Sequence, residues 1–481
     1  MLRFSALAGA SLAIVLLSGC AGSGALGTPP LAQTAGKTVK YARPLRGPLG
    51  LHSIVPNLSG KAPRALCPRT TVSRHASCFA AVRMDASTVG AFPDSVNGLT
   101  PNDLSILYNY PAPNAQAGTG PVVAIVIAYD APNAEADLAT YRSYFGLPPC
   151  SSASGCFTKV GVSAPSVNGT AATADASSRR SSASSRARPD SVSPFPERPN
   201  DPEQPDSISP DPGRPTVPGS PGKRSSSDDA LANPDSISPF PETSAGGWPD
   251  EADVDLETLS AVCPNCQIVL SEAASDDLVD LGAAVQAAVA GGATVVNASF
   301  GASEDPSQLF LEPLYEPWGV KLVAAAGDSG PGAFFPASAT RTVAVAGTTV
   351  SVSGSSVVQS LWSGSGGGCS SLFHKQRAQP NYCGWMRSVA DVAAVADPNT
   401  GIAFYDSNLG GWGIVGGTSV AAPIISGMYA LSGANQNGSG AAALYQNPGD
   451  FTPVLNAGNI DGLGAPNGVA GFGAPNGVAG F

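Results

Sequence analysis

The sequence predicts an α/β protein with a doubly wound, mostly parallel sheet and helices on both faces. Apolar runs of strand length alternate with segments of helical periodicity from residue 121 onward. The apolar runs are continuous rather than alternating with polar residues, which is typical of parallel strands buried on both faces. In such sheets the catalytic groups lie on loops at the carboxyl ends of the strands.

The alternation is regular enough to place each element along the chain. Predicted strands cover Val122–Tyr129, Gln267–Ser271, Thr294–Phe300, Lys321–Ala326 and Thr342–Val350. Predicted helices cover Asn133–Phe145, Asp277–Ala290 and Pro306–Trp318, and two more helices contain Asp250–Val262 and Val420–Gly427. Each helix follows or precedes a strand, as a parallel sheet with crossover helices requires.

The composition fits a folded, loop-rich protein with few charges. Hydrophobic residues make up 43% of 481 residues, charged residues 13%, and the chain holds 56 glycines and 44 prolines. This length and apolar content suffice for a sizeable core. The net charge of -11 argues against nucleic acid and against an acidic membrane surface as partners, and it is compatible with an acidic working environment.

The first residues predict export. Arg3 precedes an apolar run, Phe4–Leu17, that is too short for a stable bilayer span and is typical of a signal peptide covering residues 1–19. The residues before Cys20 resemble a bacterial lipobox, which would make Cys20 a lipidated N-terminus of a cell-envelope lipoprotein; ordinary secretion is the alternative. Residues 20–98 have the composition of a short pro-region or stalk.

Eight cysteines remain after Cys20, and they fall into four neighbouring pairs. The predicted disulfides are Cys67–Cys78, Cys150–Cys156, Cys263–Cys266 and Cys369–Cys383. The close pair Cys263 and Cys266 is also compatible with a redox or metal motif, although no second close pair or histidine cluster completes a zinc site.

Two segments depart from the α/β rhythm. Residues 177–247 hold 14 of the 44 prolines and contain a repeated nine-residue motif, at Pro189–Glu197 and again at Pro234–Glu242. This composition predicts a disordered, Pro/Ser-rich insertion that interrupts a domain spanning residues 99–472. The chain ends on a second repeat, since Gly464–Phe472 recurs as a tail at residues 473–481.

A glycine turn leads into a small-residue helix at Gly416-Gly417-Thr418-Ser419. Glycines permit close approach there, and free backbone N–H groups at a helix start favour developing negative charge. Ser419 is therefore a candidate nucleophile, with an ordinary capping serine as the alternative.

A serine nucleophile needs a base, and the three histidines are poorly placed for that role. His52 and His75 precede the predicted domain, and His374 lies between the last two cysteines with no glycine or helix motif around it. Carboxylates crowd instead into residues 250–257, where Glu251 and Asp255 share one helix face and Asp253 and Glu257 share another. Spacing alone does not choose between these pairs, and a solvated acidic helix start remains open.

The loop Gly327-Asp328-Ser329-Gly330-Pro331 follows a predicted buried strand. It mimics the nucleophile motif of chymotrypsin-like proteases, but those are all-β proteins, whereas this loop lies in a βα pattern. A protonated Asp328 could donate a hydrogen bond to an oxyanion, and an aspartate capping a turn is the alternative.

Together these segments resemble the sedolisin family of serine-carboxyl peptidases, which have a subtilisin-like fold with glutamate in place of histidine. The resemblance runs from about Leu99 to Gly468, and the motifs occur in the family's order. It implies Ser419 as nucleophile, Glu251 as base, Asp255 as its acidic partner and Asp328 as oxyanion donor. It also implies a substrate-pairing segment at Ser299, Phe300 and Gly301, and a shortened Ca²⁺ site using Asp450 and Asp461.

The resemblance implies an exported serine-type endopeptidase that hydrolyses polypeptides at acidic pH. We expect a monomer with no nucleic-acid partner and with membrane contact only through a lipid anchor. Two other interpretations stay open. One is a catalytically impaired surface lipoprotein on a peptidase scaffold, and the other is a histidine-dependent subtilisin.

Overall fold

The computed structural model describes residues 62–84, 96–110, 116–163, 245–353, 356–433, 440–455, 471 and 473–481. The predicted signal peptide, Cys20, His52, residues 164–244 of the insertion region and Asp461 lie outside these residues. Among the residues described, no helix has both the length and the hydropathy that a bilayer span needs.

The secondary structure of the described residues alternates between strands and helices, as predicted. The strands are β1 (Arg64–Ala65), β2 (Ser77–Cys78), β3 (Ala81–Met84), β4 (Val122–Ala128), β5 (Phe157–Val162), β6 (Gln267–Ala273), β7 (Val295–Ala298), β8 (Phe300–Ser303), β9 (Lys321–Ala325), β10 (Phe334–Phe335), β11 (Val343–Ser353), β12 (Ser356–Leu361), β13 (Gly368–His374), β14 (Met386–Val389), β15 (Val392–Val395), β16 (Ile402–Asp406), β17 (Gly411–Gly416), β18 (Phe451–Thr452) and β19 (Ala474–Pro475). The helices are α1 (Pro101–Tyr108), α2 (Ala134–Tyr144), α3 (Trp248–Val262), α4 (Leu278–Ala290), α5 (Glu312–Tyr315), α6 (Thr418–Ser432) and α7 (Ala442–Gln446).

The central sheet has the strand order β12-β11-β9-β7-β4-β6-β5, with β15 also paired to β11. All of its pairings are parallel except that of β11 with β12. Strand β4 reads VVAIVIA and is buried along nearly its whole length, as expected of a parallel strand covered on both faces. The predicted doubly wound α/β class is confirmed.

Helices α3 and α6 pack against each other and carry most of the candidate site residues. Small side chains on α6 allow this close approach, since a Cβ added to Gly427 would lie 2.7 Å from Val262 Cγ1. Helix α4 packs on β4, β5 and β6 instead. Its start is capped by Asp277, whose side chain accepts a 2.8 Å hydrogen bond from Val279 N.

Two smaller sheets bring residues near the N-terminus into contact with the domain. One has the order β1-β3-β17-β16, and the other has the order β10-β8-β2. Both contain strands from residues 64–84, the segment for which the sequence predicted only a pro-region or stalk. The four predicted disulfides all form, and Cys67–Cys78 closes a loop within this segment.

The single helix predicted over Pro306–Trp318 is wrong. A 3₁₀ turn covers Pro306–Phe310, and the four-residue α5 follows it. Pro313 explains the interruption, because its ring lacks the N–H that would continue the hydrogen-bond ladder. Trp318 is 85% exposed, so no apolar burial holds a last turn.

The strand predicted over Thr294–Phe300 is divided at Ser299 into β7 and β8. β7 remains in the central sheet, whereas β8 pairs with β2 and β10 in one of the smaller sheets. The division places Ser299 at the carboxyl end of a central strand, where a parallel sheet carries functional groups.

The last nine residues are packed into the domain. β19 pairs with β18, and the Phe481 ring contacts Tyr429 at 4.9 Å and Phe451 at 5.8 Å between ring centroids. The second copy of the nonapeptide therefore contributes to the core.

Candidate active site

Helix α3 places a line of carboxyl groups inside the protein. Its whole length from Glu251 to Val262 is buried, and Glu251 and Asp255 are only 1% and 0% exposed. Their four-residue spacing puts both on the helix face that packs toward α6. The alternative of a solvated acidic helix start is wrong for Glu251 and Asp255, because both residues are almost fully buried.

Glu251 has two buried oxygens that no described group donates to. Burial raises its pKa well above the ordinary value, and the Asp255 carboxyl raises it further. The Ser419 hydroxyl lies close enough to lower this pKa somewhat, yet its proton is donated elsewhere, to Ser299 O at 3.0 Å. Glu251 is thus an unsatisfied acceptor beside the candidate nucleophile.

Asp255 is held by a short chain of hydrogen bonds. Ser299 Oγ donates to Asp255 Oδ1 at 2.6 Å, and Asn297 Nδ2 donates to Ser299 Oγ at 2.8 Å. Burial raises the pKa of Asp255 well above its ordinary value, while Ser299 and Asn297 act to lower it. Asn297 escaped the sequence analysis; it lies within β7, and no motif marks it.

Ser419 lies in the first turn of α6 and is fully buried. The preceding Gly417 has a φ of +105°, which an L side chain rarely adopts, so glycine is required for this turn. Ser419 Oγ accepts a 3.0 Å hydrogen bond from Phe79 N, and Ser419 N donates a 3.0 Å hydrogen bond to Phe79 O. Both the hydroxyl and the amide of this serine therefore face one residue.

Asp328 follows β9 and is oriented by Thr418. Thr418 N and Thr418 Oγ1 both donate to Asp328 Oδ1, each at 2.8 Å. Burial raises the pKa of Asp328 to about 7, against the lowering effect of these hydrogen bonds and of the Arg69 charge. Since Oδ1 already accepts two hydrogen bonds, the proton of the neutral acid belongs on Oδ2.

Gly417 brings the two candidate oxyanion donors to the same place. A Cβ on this residue would lie 2.0 Å from Phe79 O and 2.6 Å from Asp328 Oδ2. Ser419 N and Asp328 Oδ2 therefore lie near one carbonyl oxygen, that of Phe79. Two donors converging on one oxygen are what stabilises an oxyanion.

The predicted substrate-pairing residues already have a partner. Phe300 and Gly301 pair antiparallel with Cys78 and Ser77, and Ser299 O accepts a 3.2 Å hydrogen bond from Phe79 N. A segment of the chain itself thus runs through the candidate cleft. The cysteine pair 67 and 78 was the sequence signal that this segment is folded, but its position could not be inferred from spacing.

The other predicted pair on α3, Asp253 and Glu257, points into a second acidic cluster. Asp253 lies with Asp137 and Asp406, and ligand oxygens of these three residues are all within 4.8 Å of one another. Glu257 Oε2 accepts a 2.9 Å hydrogen bond from Tyr405 N. We call Asp137, Asp253, Glu257 and Asp406 the distal acid cluster. Three-dimensional packing therefore separates two pairs that spacing could not distinguish.

The described histidines do not contact Ser419. His75 Nδ1 lies 2.8 Å from Asp276 Oδ1, and His374 is exposed at the end of β13. The geometry among the described residues therefore offers carboxylates, and not an imidazole, to the Ser419 hydroxyl.

Of the two predicted calcium ligands, Asp450 and Asp461, the structure describes Asp450. One group of acidic side chains within the described part of the chain could hold a metal, and it consists of Asp137, Asp253 and Asp406 and does not include Asp450. Asp461 lies outside the described residues, so the predicted Ca²⁺ site at Asp450 and Asp461 stays a prediction.

Comparison with known proteins places the fold among subtilisin-like peptidases. A Pseudomonas sedolisin, a serine-carboxyl proteinase solved with two molecules of pseudo-iodotyrostatin, matches with a TM-score of 0.52 and 18% identity, over 79% of this chain and 96% of that one. Pyrolysin of Pyrococcus furiosus is 29% identical over 246 residues, or 44% of this chain. The match spans 16% of pyrolysin's own length. No protein-family profile matches the sequence.

Proposed function

We propose that the chain is a serine-carboxyl endopeptidase that works in acid, with Ser419 as nucleophile, Glu251 and Asp255 as the base pair and Asp328 as oxyanion donor. One observation carries the proposal: Ser419 N donates to the Phe79 carbonyl oxygen, Asp328 Oδ2 lies across Gly417 from the same oxygen, and a serine hydroxyl and an unsatisfied buried carboxyl lie beside them. Acyl transfer needs these three parts together.

The proton of the Ser419 hydroxyl would pass to Glu251. In the resting arrangement this hydroxyl donates to Ser299 O, so its proton must turn about the Cβ–Oγ bond to point at the carboxyl. Glu251 can accept because neither of its oxygens has another donor among the described residues. Ionised Glu251 then serves as the general base for attack on a peptide carbonyl.

Glu251 and Asp255 would work as a pair that holds one proton between them. Ionising both buried carboxyls at once is costly, because their charges repel each other in a site shielded from water. Asp255 is the better stabilised anion, since Ser299 and Asn297 lower its pKa. Glu251 therefore holds the pair's proton at rest, and this proton must move to Asp255 before Glu251 can act as the base.

Asp328 would act in its neutral form and donate from Oδ2 to the oxyanion together with Ser419 N. Its pKa of about 7 keeps it protonated throughout the acidic range. Loss of one such donor typically lowers kcat by about 10²- to 10³-fold. Activity should therefore be lost as the pH rises through about 7, and ionisation of the Glu251 and Asp255 pair should limit it at low pH.

The buried carboxyls argue against a scaffold that has lost catalysis. An unpaired carboxyl inside a protein costs stability, and Glu251 and Asp255 together leave three oxygens without a donor. A protein that only displays its surface gains nothing from that cost. The strand through the cleft continues on both sides of Ser419, at β2 and β3, which suits an endopeptidase rather than an exopeptidase.

The test is hydrolysis of a denatured polypeptide by the purified full chain, first held at about pH 4 and then assayed at pH 4 and pH 7.5. We expect turnover at pH 4, and its loss in Ser419→Ala and in Glu251→Gln. Ser432→Ala, on the same helix and with a hydroxyl that donates to the Tyr429 carbonyl, is the matched control. Wild-type protein without turnover would support the impaired scaffold. Loss of activity in His75→Ala or His374→Ala would support the histidine alternative.

Four further features belong to the proposal on sequence grounds. They are export by a signal peptide over residues 1–19, lipidation or secretion at Cys20, polypeptides as substrates, and a monomeric protein. The lipid anchor would be the one membrane contact, and nucleic acid is not a proposed partner because the net charge is -11.

A further inference from the structure

The distal acid cluster joins three elements of the fold at one point. Asp137 comes from α2, and Asp253 and Glu257 come from α3. Asp406 is the last residue of β16. Helix α3 packs against both α2 and β16, and each of the four residues is 3% exposed or less. Four carboxyl groups are therefore enclosed where these elements meet.

No basic side chain among the described residues balances the charge of the cluster. The ion pairs of the described part of the chain involve none of its four members. Arg142, the basic residue of α2, donates instead to the Pro148 and Pro264 carbonyls and to Ser260 Oγ. A further charge that acts on the cluster is the carboxyl of Asp250, which is also acidic. Protons neutralise such carboxyls in acid, whereas near neutral pH a bound cation is needed to offset their charge.

Hydrogen bonds from the turn after β16 fix part of the cluster and leave other oxygens without a donor. Asp137 Oδ2 accepts from Ser407 N at 3.1 Å and from Ser407 Oγ at 2.8 Å. Asp406 Oδ1 accepts from Leu409 N at 2.9 Å. Asp406 Oδ2 and Asp253 Oδ1 are buried, and neither has a hydrogen-bond partner among the described residues. The carboxyls are thus oriented but not satisfied.

Glu257 supplies independent evidence for a ligand at the cluster. Its Oε2 accepts from Tyr405 N at 2.9 Å, whereas its Oε1 is buried and has no partner in the described part of the chain. Glu257 lies beside the three aspartates, because their charges raise its pKa beyond the effect of burial. Buried carboxylate oxygens are normally hydrogen-bonded or bound to an ion. A fourth unpartnered oxygen beside the first three therefore points to a ligand that all four share.

The spacing of the oxygens fits Ca²⁺. Ligand oxygens of Asp137, Asp253 and Asp406 all lie within 4.8 Å of one another. Oxygens bind Ca²⁺ at about 2.3 to 2.6 Å, so two on opposite sides of the ion are about 4.6 to 5.2 Å apart. Mg²⁺ requires about 2.0 to 2.1 Å and retains several waters, which suits an enclosed group of carboxylates less well. The absence of thiolate and imidazole from the cluster argues against the softer transition metals.

We propose that the distal acid cluster is a Ca²⁺ site, in which its four carboxylates bind one ion and water completes the coordination. The site differs from the predicted one at Asp450 and Asp461. The inference goes beyond the proposed peptidase function and does not depend on it.

A Ca²⁺ ion at this place ties the helix that carries Glu251 and Asp255 to its neighbours. Asp253 and Glu257, one turn apart on α3, would share the ion with α2 and with the end of β16. The turn after β16 is exposed at residues 407 and 408, so ions in solvent are close to the cluster. Because the unfolded chain does not bring these carboxyls together, Ca²⁺ should stabilise the folded state.

The first experiment measures the Tm of the purified full chain at about pH 7.5, after removal of metal ions with EDTA and dialysis. We expect about 5 mM CaCl2 to raise the Tm by at least about 3 °C. The same concentration of MgCl2 controls for ionic strength and should raise the Tm less than half as much. Equal shifts with the two salts would overturn the assignment to Ca²⁺.

The second experiment compares variants by the same Tm shift and by titration calorimetry with CaCl2. Asp253→Asn and Asp406→Asn each remove one carboxylate at nearly constant shape, and each should weaken Ca²⁺ binding at least about tenfold and remove most of the shift. Glu135→Gln, on the same helix as Asp137 but outside the cluster, is the matched control. Asp450→Asn tests the other predicted site. Both of these variants should keep a rise of at least about 3 °C with CaCl2.

The Tm in EDTA shows whether a variant has lost the ion or its fold. Asp406→Asn without Ca²⁺ should be at least as stable as wild type, because one uncompensated buried charge is gone. Calorimetric titration well below the Tm measures the affinity of the folded protein independently of its stability. The inference is wrong if the Tm of wild type does not respond to CaCl2, or if both cluster variants keep the wild-type affinity. It is also wrong if Asp450→Asn alone abolishes binding, since the ion would then belong to the other site.

Discussion

At the scale of single residues, Asp328 shows how hydrogen bonding decides the chemistry of a carboxyl. Its Oδ1 accepts both Thr418 donors, and Gly327 N donates to Thr418 Oγ1 at 3.0 Å, which fixes the threonine in turn. The second oxygen is left to face the Phe79 carbonyl across Gly417. An aspartate can donate from that position only while it is neutral.

This assignment predicts opposite behaviour for two substitutions of Asp328. Asparagine can still accept from Thr418 and can donate through its amide, whereas alanine can do neither. We expect Asp328→Ala to lower kcat by about 10²- to 10³-fold. We expect Asp328→Asn to keep more activity and to move the alkaline limb of the pH profile above about 7, because the amide does not ionise. The measurement is kcat between pH 3 and pH 9.

Asp130→Asn is the control, since Asp130 is exposed and pairs with Lys159 away from Ser419. An alkaline limb that stays in place in Asp328→Asn would assign the limb to another group and remove Asp328 from the proposed role.

The sequence predicted the polar members of the candidate site because each comes with a local pattern. Ser419 follows a glycine turn, Asp328 follows a buried strand, and Glu251 and Asp255 share a helix face. Asn297 and Phe79 have no such pattern. Phe79 in particular reaches the site through strand pairings hundreds of residues away in sequence, which local spacing does not encode.

At the scale of elements, the carboxyl groups of helix α3 lie in two different clusters. Glu251 and Asp255 belong to the candidate site, whereas Asp253 and Glu257 join Asp137 of α2 and Asp406 of β16 in the distal acid cluster. Burial is the first cause that raises the pKa of each cluster member, to about 8 for Asp406. The Asp250 carboxyl raises the pKa values of Asp253 and Asp406 further. The charge of Arg64 acts to lower the pKa of Asp250 itself.

The distal acid cluster predicts a protein that is more stable in acid than at neutral pH. Raised pKa values mean that the folded state binds protons that the unfolded chain releases. The stabilisation is therefore complete below about pH 4, where both states are protonated, and it is lost as the pH rises toward about 8. We expect the Tm to be lower at pH 7.5 than at pH 4.

Asp406→Asn should reduce this difference in Tm by at least about 3 °C, because the amide stays neutral and keeps the acceptor for Leu409 N. Glu135→Gln, on the same helix as Asp137 but bonded to Ser152 outside the cluster, should leave the difference unchanged. Differential scanning calorimetry of the two variants in both buffers measures it. A Tm that is equal or higher at pH 7.5 in wild type would contradict the argument.

At the scale of the whole molecule, the α/β class followed from the alternating patterns and the order of the elements, whereas the subtilisin-like arrangement was implied by the resemblance to the sedolisin family. The strands of residues 356–416 pair antiparallel or at the sheet edge and carry weaker periodicity, so they were not predicted one by one. The fold of residues 64–84 depends on β8 and β17, which lie far along the chain. Sequence patterns indicate which residues are buried locally, and they do not indicate which distant strands pair with one another.

The repeated C-terminal nonapeptide leads to a prediction about the whole molecule. Residues 464–472 and 473–481 are identical, and the second copy supplies β19 and the buried Phe481. Thr452 is paired with Ala474, and Leu455 is only three residues beyond Thr452. The eight residues that separate Leu455 from Gly464 can extend over about 26 to 29 Å, which is ample for the first copy to reach the same place.

Deletion of residues 473–481 should therefore change the Tm by less than about 3 °C, because the first copy presents the same side chains and ends on Phe472. Deletion of residues 464–481 removes both copies and leaves the Tyr429 and Phe451 rings uncovered, a loss of about 3 kcal/mol for one buried ring. That deletion should lower the Tm by at least about 5 °C. Phe472→Ala in the shorter deletion is the matched control and should behave like the longer one. If both deletions lower the Tm equally, the packing requires the second copy in its own place, and the two copies are not interchangeable.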